Sequence, residues 1–287
     1  MKVIVFDLDE TIGHFHQISS LCWLLKRLNN REISMPSFFN LMDLFPKVFR
    51  PGIWKLFKYI IKQKKNKQIK VVIYTNNTGK KTWVYKIKSY IEKKLKHSLF
   101  DKVICGWKYD NIIMEPQRSG WQKTYIDLKK ICNLNQYDEV VFIDDQVHEK
   151  MFHPNVKYFK LEAYIYKYHS YDMMKKYVKK TPLEKSIKEY LLNNNNFINN
   201  NRNNFSNVNL YKKSIKYKVA GKILYKGVKN FLDCDNSNEF IIKNKIITRN
   251  SDLNGKKNKK NKKNKKNKTR KINKNKKNKK NKTRKKY

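Results

Sequence analysis

MKVIVFDLDETIGHF, residues 1–15, begins with an apolar run, Val3–Phe6, that ends in two carboxylates two residues apart, Asp7 and Asp9. A short apolar run bounded by polar residues reads as a buried strand. A strand can run out into a polar loop for no chemical reason, so this pair decides nothing alone. The same design recurs twice. KVVIY, residues 70–74, reads as a second buried strand and stops at Thr75-Asn76-Asn77. EVVFI, residues 139–143, reads as another and stops at Asp144-Asp145. Lys102–Cys105 and Val156–Phe159 are shorter strand candidates. Apolar residues at helical spacing fill the intervals, over Ile18–Leu28, Pro36–Phe45, Ile53–Lys62, Thr82–Leu95 and Trp121–Cys132. Strands alternating with helices predict a parallel sheet with right-handed crossovers.

In such a sheet the carboxyl ends of the strands share one edge, where ligands bind. Asp7/Asp9/Thr11, Thr75-Asn76-Asn77 and Asp144-Asp145 are therefore expected to meet, although the chain separates them widely. Carboxylates gathered in one cleft repel each other unless a cation neutralises them. Hard oxygen ligands in that arrangement suit Mg²⁺.

The 287 residues are 39% hydrophobic and 31% charged, with a formal net charge of +44. The charge is uneven. Residues 256–287 carry twenty basic side chains and no acid, and KKNKKNKTRK at 262–271 returns at 276–285. Such a run has nothing to bury, so a disordered tail is expected. Without it the remainder is still at +24. Polyanions such as nucleic acid are natural partners for this charge; compositional drift toward Lys and Asn codons explains it equally well. The four cysteines, at 22, 105, 132 and 234, have neither zinc-ligand spacing nor a disulfide-framework pattern, which fits a reducing, intracellular setting. No stretch approaches the length of a membrane span, and the N-terminal apolar run is too short for a secretion signal.

The motifs as a set resemble the haloacid dehalogenase (HAD) superfamily of phosphotransferases. FDLDET is similar to its first motif, DxDx[TV] after a buried strand. VVIYTNN is similar to the second, a strand ending in Thr or Ser, and VVFIDD to the fourth, a strand ending in paired acids. The third is a Lys on the preceding helix. Lys123 in GWQKTYIDLKKIC is the candidate, with Lys129 and Lys130 as rivals on the same helix. FRPGIWKLFKYI is similar to the RPG element of the TFIIF-associating C-terminal-domain phosphatases, a group that includes the NLI-interacting-factor-like phosphatases. The combination also looks like phosphatases of this type in giant DNA viruses. The resemblance covers roughly residues 1–165 and leaves the tail out.

The resemblance implies a HAD-type, Rossmann-like α/β fold with a small cap or none, and a Mg²⁺-dependent phosphatase. Asp7 would be the nucleophile and form an aspartyl-phosphate. Asp9 would protonate the leaving oxygen and then activate water. Thr75 would donate to the phosphoryl group, assisted by Asn76, and Lys123 would neutralise its oxygens. Mg²⁺ would be held by Asp7, by the backbone carbonyl of Asp9, and by Asp144 or Asp145. Arg118 is a candidate for a second phosphate or an acidic flank of the substrate. The implied substrate is phosphoserine or phosphothreonine in a protein, the RNA polymerase tail among the candidates, in the cytoplasm or nucleus of a host cell. A polynucleotide 3′-phosphatase is the alternative, and a non-enzymatic nucleic-acid-binding protein with a vestigial HAD fold is a third reading. The expected organisation is a phosphatase domain over 1–192, an Asn-rich linker over 193–207, a region with some strand-like pattern over 208–250 that is either a weakly structured appendix or a small part docking back on the body, and the tail over 251–287. Thr181-Pro182-Leu183-Glu184 has the form of a capping box and predicts a helix to about Leu192.

Overall fold

The computed structural model describes residues 1–77, 79–193 and 207–233. The expected basic tail lies outside them, as does the expected Asn-rich linker except for its end residues. Val3–Phe6 is fully buried, and the strand it belongs to, β1 (Lys2–Phe6), is the middle of a five-stranded parallel sheet. The other strands are β2 (Ile69–Tyr74), β3 (Lys102–Ile104), β6 (Glu139–Asp144) and β7 (Val156–Lys160), in the order β3-β2-β1-β6-β7. A two-stranded antiparallel hairpin, β4 (Lys108–Tyr109) and β5 (Ile112–Ile113), stands apart from the sheet.

Helices close both faces, which is why β1 has no polar alternation. On one face Val3 and Val5 pack with Val72, Tyr74, Val140 and Phe142 beneath α5 (Tyr125–Cys132), through Leu128 and Ile131. On the other, Phe6 meets Phe57 of α3 (Ile53–Lys64) edge to face at 5.5 Å. The segment between the first strand and α3 folds as α1 (His16–Asn29) and α2 (Met35–Leu44). α4 (Lys81–Leu95), α6 (Ser170–Lys180) and α7 (Lys185–Asn193) complete the set up to residue 193. No described helix is long and apolar enough to cross a membrane.

Register sets the level of the strand ends. Phe6 pairs with Ile73 on one side and Ile143 on the other. Asp7 and Asp144 are therefore level at the carboxyl edge, and Thr75 follows one residue beyond on β2's side. The Asp7 N–H donates to the Ile143 carbonyl at 2.9 Å, carrying the pairing one step past the strand.

Three expectations need correction. α5 starts at Tyr125, not at Trp121, because Thr124 caps it: its side chain accepts from the Asp127 N–H. Lys123 is thus placed ahead of the helix. The β4–β5 hairpin and α6 were not anticipated. Residues 207–233 form one helix, α8, in place of the strand-like pattern, and it docks back on the body as one of the two expected forms had it; residues 234–250 of that expected region lie outside the described residues. Ile215, Tyr217 and Val219 alternate with other residues and mimic a strand. The buried positions decide otherwise: Tyr217, Gly221, Leu224, Val228 and Phe231 recur every three or four residues.

α8 lies close to its neighbours because two of its residues are glycines. A Cβ on Gly221 would be 2.2 Å from the Pro51 carbonyl oxygen, and one on Gly227 would be 2.5 Å from the Phe159 ring. Lys2 and Lys67 each donate at 2.7 Å to carbonyls of its last turn, at Phe231 and Leu232, where cations are favoured. Phe231→Ala should therefore lower stability by about 3–5 kcal/mol, read as a lower urea midpoint at unchanged m-value. A midpoint within error of wild type would show that α8 is not part of the cooperative unit.

Candidate functional site

A buried ammonium organises the carboxyl edge. Lys123 Nζ donates to Asp7 Oδ1 at 2.6 Å and to Asp144 Oδ2 at 2.7 Å, and the lysine is 1% exposed. Its delivery is local. Lys123 directly precedes the extended Thr124 cap, and Tyr74 and Phe142 flank its side chain, each with its ring centre 5.8 Å from the ammonium. Lys129 and Lys130 are exposed near the far end of α5 and take no part.

The two acids of the pair after β6 differ in what they hold. Asp144 accepts from Lys123, from the Gln146 N–H at 2.7 Å, and lies 3.3 Å from His148 Nε2. Asp145 is tied to Thr11, whose hydroxyl donates to its Oδ1 at 3.2 Å and accepts from its N–H at 3.0 Å. Asp7, Asp144 and Asp145 each present a carboxylate oxygen, and these oxygens lie within 4.8 Å of one another. Among the described residues this is the group with the geometry to hold a metal ion.

The charge balance explains the shifts. Burial, opposed by Lys123 but aided by Asp144 and Asp9, pushes the Asp7 carboxyl up to about 7. Burial acts on Asp144 too, but hydrogen bonds from His148 and Lys123, together with the lysine's charge, hold it below its ordinary value. Asp145 is raised by burial and by its neighbour Asp144. Burial also raises Asp9, although an amide donor partly offsets it. One lysine does not neutralise four clustered carboxylates, and a divalent cation fits the excess.

The chain leaves the strand sharply after Asp9. Glu10 adopts a left-handed conformation, φ 61°, and its N–H donates to the Gly13 carbonyl. The Asp9 carboxylate then accepts from Asn77 Nδ2 at 2.7 Å. Sequence reasoning placed Asn77 in the cluster but gave a role only to Asn76. The signal was the second Asn of the Thr-Asn-Asn trio, two positions beyond Thr75. Thr75 is 1% exposed, and its hydroxyl oxygen accepts from the Asn77 N–H at 3.0 Å, so its own proton remains to be donated. His148, also unforeseen, lies four residues after Asp144.

Arg118 does not serve as an outward anion binder. It is 3% exposed. Its NH1 donates to the carbonyls of Thr75 and Cys105, and its NH2 to Asn76 Oδ1 and the Trp121 carbonyl. The guanidinium, over the Tyr74 ring, braces the 75–77 loop from behind. Asn76 lines the site but gives its side-chain oxygen to Arg118. His14 is buried with Nδ1 on the Tyr166 carbonyl, while His16 is exposed.

Asp7, Asp9, Thr75, Lys123, Asp144 and Asp145 line a cavity of about 280 Å³. It meets a groove of about 600 Å³ at Asp9 and Asn77, walled by Trp23 of α1, Trp83 of α4 and Tyr109. Comparison of the chain with family models, curated proteins and solved structures finds no match.

Arg118→Met should cost about 3 kcal/mol or more, because several carbonyl acceptors lose their partner at about 1–3 kcal/mol each. Thermal or denaturant melting measures it. Unchanged stability would mean that the loop does not depend on the guanidinium.

Proposed function

We propose that the protein is a Mg²⁺-dependent phosphomonoester hydrolase of the HAD type, acting through an aspartyl-phosphate on Asp7. The observation that carries this reading is the buried Lys123 bridge between Asp7 and Asp144, with Asp9, Thr75 and Asp145 around the same cavity. A lysine buried between carboxylates suits a site that receives a multiply charged anion.

The residues supply a complete sequence of steps. An Asp7 oxygen attacks phosphorus while the bond to the leaving oxygen breaks. Asp9 is the acid placed to give the proton that this oxygen needs. Lys123 and the Thr75 hydroxyl face the phosphoryl oxygens as negative charge moves onto them. Asp9, now ionised, takes a proton from water as that water attacks phosphorus, and the acyl-phosphate bond breaks to restore Asp7. Asp144 keeps Lys123 in position. Asp7, Asp145 and the Asp9 carbonyl would hold Mg²⁺, which when bound withdraws charge from the phosphoryl group. Asp145 is the better direct ligand of the pair, since Asp144 already accepts from Lys123, Gln146 and His148.

A protein phosphoserine or phosphothreonine is the substrate class we favour, with the polymerase tail a candidate through the resemblance alone. The adjoining groove supports it: Lys26, Lys80 and Lys86 are set against Glu10 and Glu32 beside the exposed Trp23 ring and the half-buried rings of Trp83 and Tyr109. Mixed charge suits a peptide chain, whereas a polynucleotide backbone calls for one sign. The polynucleotide 3′-phosphatase reading rests on the net charge of +44, which also makes loose nucleic-acid contact through the tail a proposal.

Hydrolysis of p-nitrophenyl phosphate by the full chain tests the reaction. Turnover should require Mg²⁺ and stop with EDTA. It should vanish in Asp7→Asn and fall roughly 10²–10⁴-fold in Asp9→Asn, the range for loss of a general acid–base. Activity that survives EDTA, or survives in Asp7→Asn, would overturn the mechanism. Phosphopeptides against 3′-phosphorylated oligonucleotides then separate the substrate classes.

A further inference from the structure

Arg50 is the largest fully buried side chain and lies outside the catalytic set. Its Nε donates to the Thr11 carbonyl at 2.6 Å, and its NH2 donates to the Glu10 carbonyl at 2.6 Å and the Glu162 carbonyl at 2.8 Å. Its NH1 is buried with no hydrogen-bond partner. A buried cation with an orphaned donor is costly, and native structures keep such groups where their other bonds are needed. Burial lowers its pKa to about 10, with Asp145's charge opposing, so the guanidinium is charged at neutral pH.

The bonds converge on the turn that presents Asp9. Glu10 is a non-glycine residue at φ 61°, a conformation that persists only when its surroundings impose it. Its carbonyl accepts from both Arg50 and the Tyr164 N–H, the latter at 2.8 Å. Thr11, on the same guanidinium, holds Asp145.

α8 closes the cage around this guanidinium on two sides. Gly221 lies against Pro51 and Gly52, the residues that follow Arg50. Tyr217 meets Tyr164 edge to face at 4.8 Å, and its hydroxyl accepts from the Ile165 N–H at 3.2 Å. Tyr164 in turn lies 5.5 Å from the guanidinium. Lys216 pairs with Glu162 at 2.7 Å.

We propose that Arg50 is a positioning residue for the Asp9–Thr11 turn and that α8, through Gly221 and Tyr217, holds Arg50 in place. The domain that performs the chemistry thus includes a helix more than 150 residues downstream of the turn it supports. Loosening α8 releases the turn without unfolding the sheet. The activity arm of the test rests on the phosphatase reading; the exchange arm does not.

The experiment uses the full chain as wild type, Gly221→Leu, Tyr217→Ala and Arg50→Met, with Ile223→Ser on the exposed face of α8 as control. Leu is a better helix former than Gly, so the first variant keeps the helix while its side chain meets Pro51. Hydrogen–deuterium exchange is followed over residues 7–14 and over β1 and β2, below each variant's melting temperature. The expected result is exchange about tenfold faster in 7–14 with the strands unchanged. On p-nitrophenyl phosphate, kcat should fall about tenfold with KM within about twofold. The control should match wild type in both. Should Gly221→Leu fail to fold, Tyr217→Ala and Arg50→Met carry the test. Lower melting temperatures with wild-type exchange in 7–14 would overturn the proposal, as would unchanged kcat. Absence of turnover in wild type would count against the phosphatase reading, and the exchange result would then decide this one alone.

Discussion

Everything at the carboxyl edge depends on burying one lysine against two aspartates. An ammonium and two carboxylates removed from water lose several kcal/mol of hydration each, and their mutual attraction returns it only when the geometry is tight. The bridge from Lys123 to Asp7 and Asp144 meets that condition. It is possible because the register of the central strand with its two neighbours brings the strand ends level. It also leaves several acids around one lysine, since Asp9 and Asp145 line the same cavity, and Asp7, Asp144 and Asp145 present oxygens close enough together to hold a metal ion.

Around that bridge the chain has arranged two arginines that never reach the cavity. Arg118 supports the Thr75–Asn77 loop and Arg50 the Asp9–Thr11 turn, each by donating to carbonyls that a loop leaves without strand partners. A guanidinium suits this task because its donors are fixed in a plane and its charge does not titrate near neutrality. Rigid loops would serve the proposed phosphoryl transfer, a reaction in which most of the catalytic effect comes from placing groups before it starts. The surface charge of the protein is overwhelmingly Lys, yet the buried braces are both Arg.

The sequence carried the sheet and most of the residues that line the cavity at its carboxyl edge. Val3–Phe6, Lys70–Tyr74 and Glu139–Ile143 were legible as strands because a strand buried on both faces is an uninterrupted apolar run. Asp7, Asp9, Thr75, Asp144 and Asp145 followed, since the residue after a parallel strand must emerge at the common edge. Lys123 was legible as a residue but not as a position: the T-x-x-D pattern from Thr124 to Asp127, a helix start, was the signal that it precedes α5. α8 was misread because the alternation of apolar residues and lysines over Ile215–Val219 fits a strand as well as one face of a helix.

What the sequence determined by itself is the identity of groups delivered by local rules: strand, then acid; strand, then threonine; cap, then helix. Only the tertiary structure decided the roles that depend on distance through space. Asn77 rather than Asn76 reaches Asp9, Arg118 faces inward, and Arg50 and α8 embrace a turn far from them in the chain. The reason is physical. Side-chain direction within a strand or helix follows from period and register, whereas the direction taken by a loop residue is set by whichever packed neighbour offers it a partner, and that neighbour can come from anywhere in the chain.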